Sequence, residues 1–382
     1  MKKLFIAAFM FVSTFTSNVF ADGHAIKMGI ILGFTGPIES LTPAMRDSAK
    51  LAFSEASSSG SLLGGKKITV IEGDSTCVDS AAAQAAAEKL VADGVVAIMG
   101  ADCSGVTGAI ASNVAVPNGV VMISPSATSP GLTDLDDKGF FFRTAPSDAR
   151  GGQILADITK DRKIKSVAIT YTNNDYGKGL ADVYASAVKA HGIKVTTTAA
   201  HEDGKADYTA EVSTLASAGG DALVVIGYLD QGGKGIIQGS LDSGAFDTFI
   251  LSDGMIGDSL TDAFGKNLNK SFGSLPGSTG KGAGVFAKVA KAGGIDSSGP
   301  YTGESYDAAA LLVLAMQAGG SADRASIAKN VMSVANGPGK KIYPGELKKA
   351  LDLLANGKAV DYEGATGVSF TDVGEAFGSF LE

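Results

Sequence analysis

The sequence predicts an α/β protein made of two doubly wound lobes, each a parallel sheet covered by helices on both faces. Short apolar segments such as AIKMGIIL (25–32) and VVAIM (95–99) alternate with longer stretches whose apolar residues recur at helical spacing, the pattern of βαβ repetition. The chain has 382 residues, more than one hydrophobic core usually serves. Its 51 glycines and the absence of Trp fit tight turns and close packing of helices on strands.

Strands are expected at 25–32, 68–72, 95–99, 120–124, 166–171, 195–199, 223–227 and 249–252. Helices are expected at 43–57, 80–93, 151–160, 179–191, 209–218 and 232–243. The segment RTAPSD (143–148) joins the two series of βα units. Beyond about residue 275 the pattern turns helical, at 282–292, 301–318, 323–334 and 344–354, and 368–370 with 376–380 reads as a small hairpin. Gly and Ser crowd residues 271–284, which reads as a crossing between lobes, with a flexible tether as the alternative.

The N-terminus carries Lys2 and Lys3, an apolar run from Leu4 to Val12, and Val19-Phe20-Ala21. This is the layout of a secretory signal peptide (1–21) cut after about Ala21, too short to stay as a membrane span. The rest is expected to be soluble in the periplasm. The formal net charge of −8 is spread along the chain without a basic run, so no nucleic-acid partner is expected.

A set of motifs lies in order along the chain: GFTGP (33–37), DSTC (74–77), IMGADCSGVTGAI (98–110), ISPSATSPGLT (123–133), FFRTAPSD (141–148), NNDYGKGLAD (173–182) and LSDG (251–254). With them the chain resembles the periplasmic leucine/isoleucine/valine-binding proteins, the amino-acid branch of the type I solute-binding fold. The resemblance implies two lobes joined by a three-stranded hinge with crossings near 145, 275 and 365. That gives a first lobe of 22–145 plus 275–365 and a second of 146–274 plus 366–382. It also implies an amino-acid-like ligand, an inner-membrane ABC permease as partner, and transport as the role. A monomer is expected. The alternative is a ligand sensor of the same fold that reports to a receptor or regulator.

Cys77 and Cys103 each follow a predicted strand of one sheet in an oxidising compartment, which favours a disulfide over two free thiols, and the resemblance supports the pairing. Such a bridge would pin the loop of Ser104. Ser104 begins a helix after a Gly-rich strand end, where its hydroxyl and nearby N–H groups suit a carboxylate. Ser126, Ala127 and Thr128 follow the next strand. The resemblance implies that both loops grip a ligand's α-carboxylate and part of its ammonium. The plain alternative is a helix N-cap at Ser104 and a turn at Thr128. Asp253 occupies the family's acidic position for the ammonium, and Tyr176 and Tyr228 sit where aromatic rings close over a ligand, with ordinary packing as their alternative. After GFTGP this chain reads Ile38-Glu39-Ser40-Leu41, where many amino-acid binders carry an aromatic residue, so the ligand's side chain is left open. Glu39 either faces the ligand or is a solvated turn residue.

Enzyme signatures are missing from the sequence. The glycines at 29, 33 and 36 do not space as a dinucleotide fingerprint, and neither a P-loop nor a G-x-S-x-G elbow is present. Three histidines, His24, His191 and His201, form neither a metal cluster nor a base beside Ser104. No catalysis, cofactor or metal is expected.

Overall fold

The computed structural model describes residues 25–382. The expected signal peptide and His24 lie outside the described residues. Elements alternate from the start: β1 (Ile26–Leu32), α1 (Thr42–Ser58), β2 (Ile68–Asp74), α2 (Ser80–Ala92), β3 (Ala97–Gly100), α3 (Ser104–Ile110), β4 (Val121–Ser124) and β5 (Phe141–Arg143). The five strands form one parallel sheet in the order β2-β1-β3-β4-β5. The second half repeats the scheme with α4 (Asp148–Asp161), β6 (Ser166–Thr172), α5 (Asp175–Ala190), β7 (Lys194–His201), α6 (Thr209–Ala218), β8 (Ala222–Ile226), α7 (Gly232–Ser243), β9 (Phe249–Leu251), α8 (Asp258–Phe264) and β10 (Phe272–Gly273). Its sheet is also parallel, in the order β10-β9-β8-β6-β7.

Burial explains the composition of these strands. Every residue of β3, β4 and β8 is buried, so both faces are covered and the sequence reads as an unbroken apolar run rather than an alternation. The order within each sheet also creates a crevice. From β1 the chain goes outward to β2 and then returns to the opposite side of β1 as β3, and it does the same around β6 with β7 and β8. The carboxyl ends of strands diverge at such a switch point, which leaves room for a ligand.

The chain continues through β11 (Leu275–Pro276), α9 (Lys281–Ala292), α10 (Thr302–Ala318), α11 (Arg324–Ala335), β12 (Lys340–Ile342), α12 (Leu347–Ala355), β13 (Val360–Tyr362) and β14 (Phe380–Leu381). Helix α10 is buried without a break from Glu304 to Gln317, which is why DAAALLVLAM shows no polar face. It packs on α1, α11, α12 and the first sheet. Leu311, Leu312 and Leu314 are fully buried there, each contributing roughly 1.5–3 kcal/mol.

The end of the chain departs from expectation in two ways. The hairpin reduces to one antiparallel bridge between Phe370 and Ala376, while β14 pairs with β11 instead. The third crossing, expected near 365, is shifted toward residue 377. Phe370 packs its ring 5.7 Å from that of Phe142, Asn336 holds the Phe370 main chain at both ends, and Glu375 pairs with the buried Arg143. A buried charge and an aromatic contact thus keep residues 366–376 beside the first sheet. Only beyond them does the chain reach the second half, where Arg162 pairs with Glu382 at 2.5 Å.

Candidate functional site

The two sheets point their carboxyl ends toward one another, and a cavity of about 30 Å³ lies between them. Asp102, Cys103 and Ser104 reach it from the end of β3, and Ser126 from the end of β4. Opposite them, Tyr176 follows β6, Tyr228 follows β8, and Asp253 and Gly254 follow β9. Ile38, Leu41 and Met45 form an apolar wall after β1, and Tyr301 enters from the turn before α10. The lining thus comes from both switch points.

On the β3 side, a network of strand-end loops fixes the geometry. The buried Asp102 carboxylate accepts hydrogen bonds from Gly33 N at 2.5 Å, Ser75 Oγ at 2.9 Å and Cys103 N at 2.9 Å, tying together the ends of β1, β2 and β3. Burial pushes its pKa up, and these three donors oppose that shift. Gly100 leaves β3 at φ +123°, where a side chain would meet the Ile31 carbonyl oxygen 2.0 Å away, so only glycine fits this close approach. A disulfide between Cys77 and Cys103 anchors the same loop. Ser104 Oγ accepts from Ser129 N at 3.0 Å, and Ser126 Oγ donates to the Asp102 carbonyl at 3.1 Å. Arg143, 1% exposed, donates to the carbonyls of Ala127 and Ser129 at 3.1 and 2.8 Å and so holds the β4 loop from behind.

Across the cavity, Asn174 caps α5 by accepting from Gly177 N at 3.0 Å, which sets Tyr176 on the first turn. Gly177 permits this because a side chain there would lie 2.1 Å from the Thr172 carbonyl oxygen. The Tyr176 and Tyr228 rings stack at 5.3 Å. Tyr176 Oη donates to Asp253 at 2.6 Å, and Tyr301 Oη donates to its other carboxylate oxygen. Burial pushes all three phenols well above their ordinary pKa, and the Asp253 charge adds to it for Tyr176 and Tyr301, so they remain donors. The Asp253 pKa is raised by burial against the pull of those phenols. The pKa of Asp148, also buried, is raised well above its ordinary value, first by burial and then by the charge of Asp253.

Among the residues expected at the site, Ser104, Ser126, Tyr176, Tyr228 and Asp253 converge on the cavity. Ala127 and Thr128 stand behind its lining. Ala127 N donates to Ser124 Oγ at 3.0 Å, and the Thr128 hydroxyl is buried without a hydrogen-bond partner among the described residues. Glu39 is exposed and turns to solvent, while its neighbours Ile38 and Leu41 form the wall. Sequence reasoning missed Asp102, Tyr301, Arg143 and Asp148. Asp102 lay within the ADCSG motif beside Cys103, whereas Tyr301, far along the chain, had no local signal beyond the turn-forming SSGPY.

The sequence pattern of the periplasmic binding proteins matches residues 25–345. This chain belongs to that family. Leu/Ile/Val-binding protein homolog 1 of Brucella melitensis is 31% identical over 324 residues, 83% of this chain and 84% of the relative. Homolog 3 from the same organism is 31% identical over 234 residues, so the chain spans 62% of that relative's length. These matches place it in the Leu/Ile/Val-binding family of periplasmic binding proteins. A leucine-binding protein of Thermotoga maritima superposes with a TM-score of 0.78 at 22% identity, covering 93% of this chain and 94% of that one. A Streptococcus pneumoniae branched-chain amino acid binding protein in complex with isoleucine gives 0.76 at 23%, covering 93% and 94%. A Rhodopseudomonas palustris solute-binding protein in complex with benzoate gives 0.74 at 16%, covering 93% and 92%. The type I periplasmic binding protein fold of this chain is therefore shared by proteins with chemically different ligands.

Proposed function

We propose that this protein binds an amino acid, or a related small zwitterion, with an aliphatic side chain in the periplasm and presents it to an inner-membrane ABC permease without catalysing a reaction. The observation that carries this reading is the polarity of the cavity: hydroxyls of Ser104 and Ser126 on one side face the buried Asp253 carboxylate on the other, and Ile38, Leu41 and Met45 wall one flank. Among the described residues, no Lys, Arg or His lines it. The hydroxyls of the two serine loops suit a ligand carboxylate, and Asp253 with its two phenols suits an ammonium. The aliphatic wall suits branched side chains, in line with the names of the Brucella relatives.

The cavity has room for roughly two waters. The lobes must separate for an amino acid to enter and then settle around it. A ligand touching both lobes favours the closed form because only that form makes both sets of contacts, and a permease can read the difference in shape. The hinge runs through residues 144–147, 274–277 and the chain after 376.

Thermal-shift and calorimetric titration of the protein starting at Asp22 tests the reading. Leucine, isoleucine and valine are expected to stabilise it, by about 2.7 kcal/mol at a hundredfold excess over Kd, and 4-methylpentanoate, which lacks the amine, is expected to do so far less. Stabilisation by benzoate with none by any amino acid would replace the proposed ligand class.

A further inference from the structure

Two contacts hold the lobes together at the rim of the cleft without lining the cavity. On one side Ser129 Oγ donates to the Asp175 carbonyl at 3.0 Å. On the other, Asp230, in the loop between β8 and α7, reaches the GFTGP loop of the opposite lobe. Its carboxylate accepts from Ser40 N at 2.9 Å, and its own N–H donates to the Pro37 carbonyl at 3.1 Å. The second carboxylate oxygen accepts from Ser259 Oγ at 2.6 Å within its own lobe, which aims the side chain across the gap. Nearby, a side chain at Gly257 would meet Leu41 of the opposite lobe at 3.1 Å, so the surfaces are closely fitted there. Asp230 is absent from the cavity lining, so a ligand can come and go without touching it.

We propose that Asp230 is a ligand-independent clasp that stabilises the closed lobes and slows ligand escape. The inference rests on the closure described under the proposed function, but it concerns a residue that no ligand contacts. A clasp acts on the closed state alone, so its loss shifts the open–closed equilibrium by one factor for every ligand. A ligand contact would weigh differently on different ligands.

The test compares wild type with Asp230→Ala, Asp230→Asn and Asp230→Glu, after checking by circular dichroism that each variant melts like wild type. Release of leucine, isoleucine and valine is followed by stopped flow, and the ligand-free proteins are compared by small-angle X-ray scattering. For Asp230→Ala the expected result is release faster on the order of tenfold, equal for the three amino acids, with a larger ligand-free radius of gyration. Asp230→Asn is expected to recover most of the wild-type rate, because its carbonyl can still accept from Ser40 N while its amide donates to Ser259 Oγ. Asp230→Glu, which keeps the charge but misplaces the oxygen, should behave like the alanine variant. The clasp is refuted by wild-type release and compaction in Asp230→Ala, by a loss confined to one ligand, or by an asparagine variant as impaired as alanine. If wild type binds none of the three amino acids, the ligand reading falls, and the ligand-free scattering alone still decides the clasp.

Discussion

Replacing Asp253 with Asn removes the charge at the polar end of the cavity while keeping its shape. In the folded protein one carboxylate oxygen takes the Tyr176 hydroxyl at 2.6 Å and the other the Tyr301 hydroxyl. Asparagine can still accept from one phenol, and the other can turn to accept from the new amide, so the fold should lose only about 1 kcal/mol. Binding is affected far more. A ligand ammonium left without its carboxylate in a closed cleft costs about 2–5 kcal/mol, a loss of roughly thirtyfold to several thousandfold in affinity. Calorimetry with leucine on wild type and Asp253→Asn measures this directly. The same titration with 4-methylpentanoate, which lacks the amine, should differ by less than about threefold between the two proteins. Equal leucine affinity, or an equal loss for both ligands, would refute the pairing of Asp253 with an ammonium.

Other consequences follow from the same geometry. The Cys77–Cys103 bridge spans 26 positions, so replacing both with Ala should destabilise the protein to urea by about 3–4 kcal/mol on loop entropy, with weaker ligand binding because the Ser104 loop is released. Wild-type stability in the double variant would remove the bridge from the account. Ser104→Ala should weaken leucine binding by about 1–3 kcal/mol by calorimetry. The same change should lower the melting temperature, since Ser129 N loses its acceptor. His201 is buried, its Nδ1 paired with Thr170 Oγ1 at 2.8 Å, and burial lowers its pKa to about 4. The folded state resists a proton that the unfolded chain accepts below the ordinary value of 6.5, so the His201 contribution to stability is flat above pH 6.5 and falls by roughly 3 kcal/mol as pH drops toward 4. Buried Glu304 and Asp307, raised to about 8 and about 6, act in the opposite direction. The difference between wild type and His201→Gln in urea titrations across that pH range should show the decline; a difference that does not change with pH would refute the histidine's part.

Local pattern was enough to read the parallel strands and the helices between them, because strands buried on both faces and helices with one buried stripe leave distinct periodicities. The weakest elements escaped. Strands β5 and β10 have three and two residues and exist only through their neighbours, and β12 with β13 is a pair that only the folded chain brings together. The tail was misjudged because Phe370 and Glu375 are placed by partners more than 200 residues earlier, Phe142 and Arg143. Much of the candidate site was legible in strand-end motifs. What stayed hidden is the support behind it: a charge as deeply buried as Arg143 reads in sequence as an ordinary surface residue, and Asp148 reads as a helix-starting acid. Their roles depend on which loops the topology stacks against them.

A crystal structure of the protein grown with leucine tests most directly whether an amino acid lies between the two switch points with its charges divided between the lobes. Density for leucine is expected with its carboxylate on the Ser104 and Ser126–Thr128 loops, its ammonium within hydrogen-bond distance of Asp253, and its side chain against Ile38, Leu41 and Met45. Leucine bound elsewhere, or turned so that its carboxylate faces Asp253, would contradict this placement.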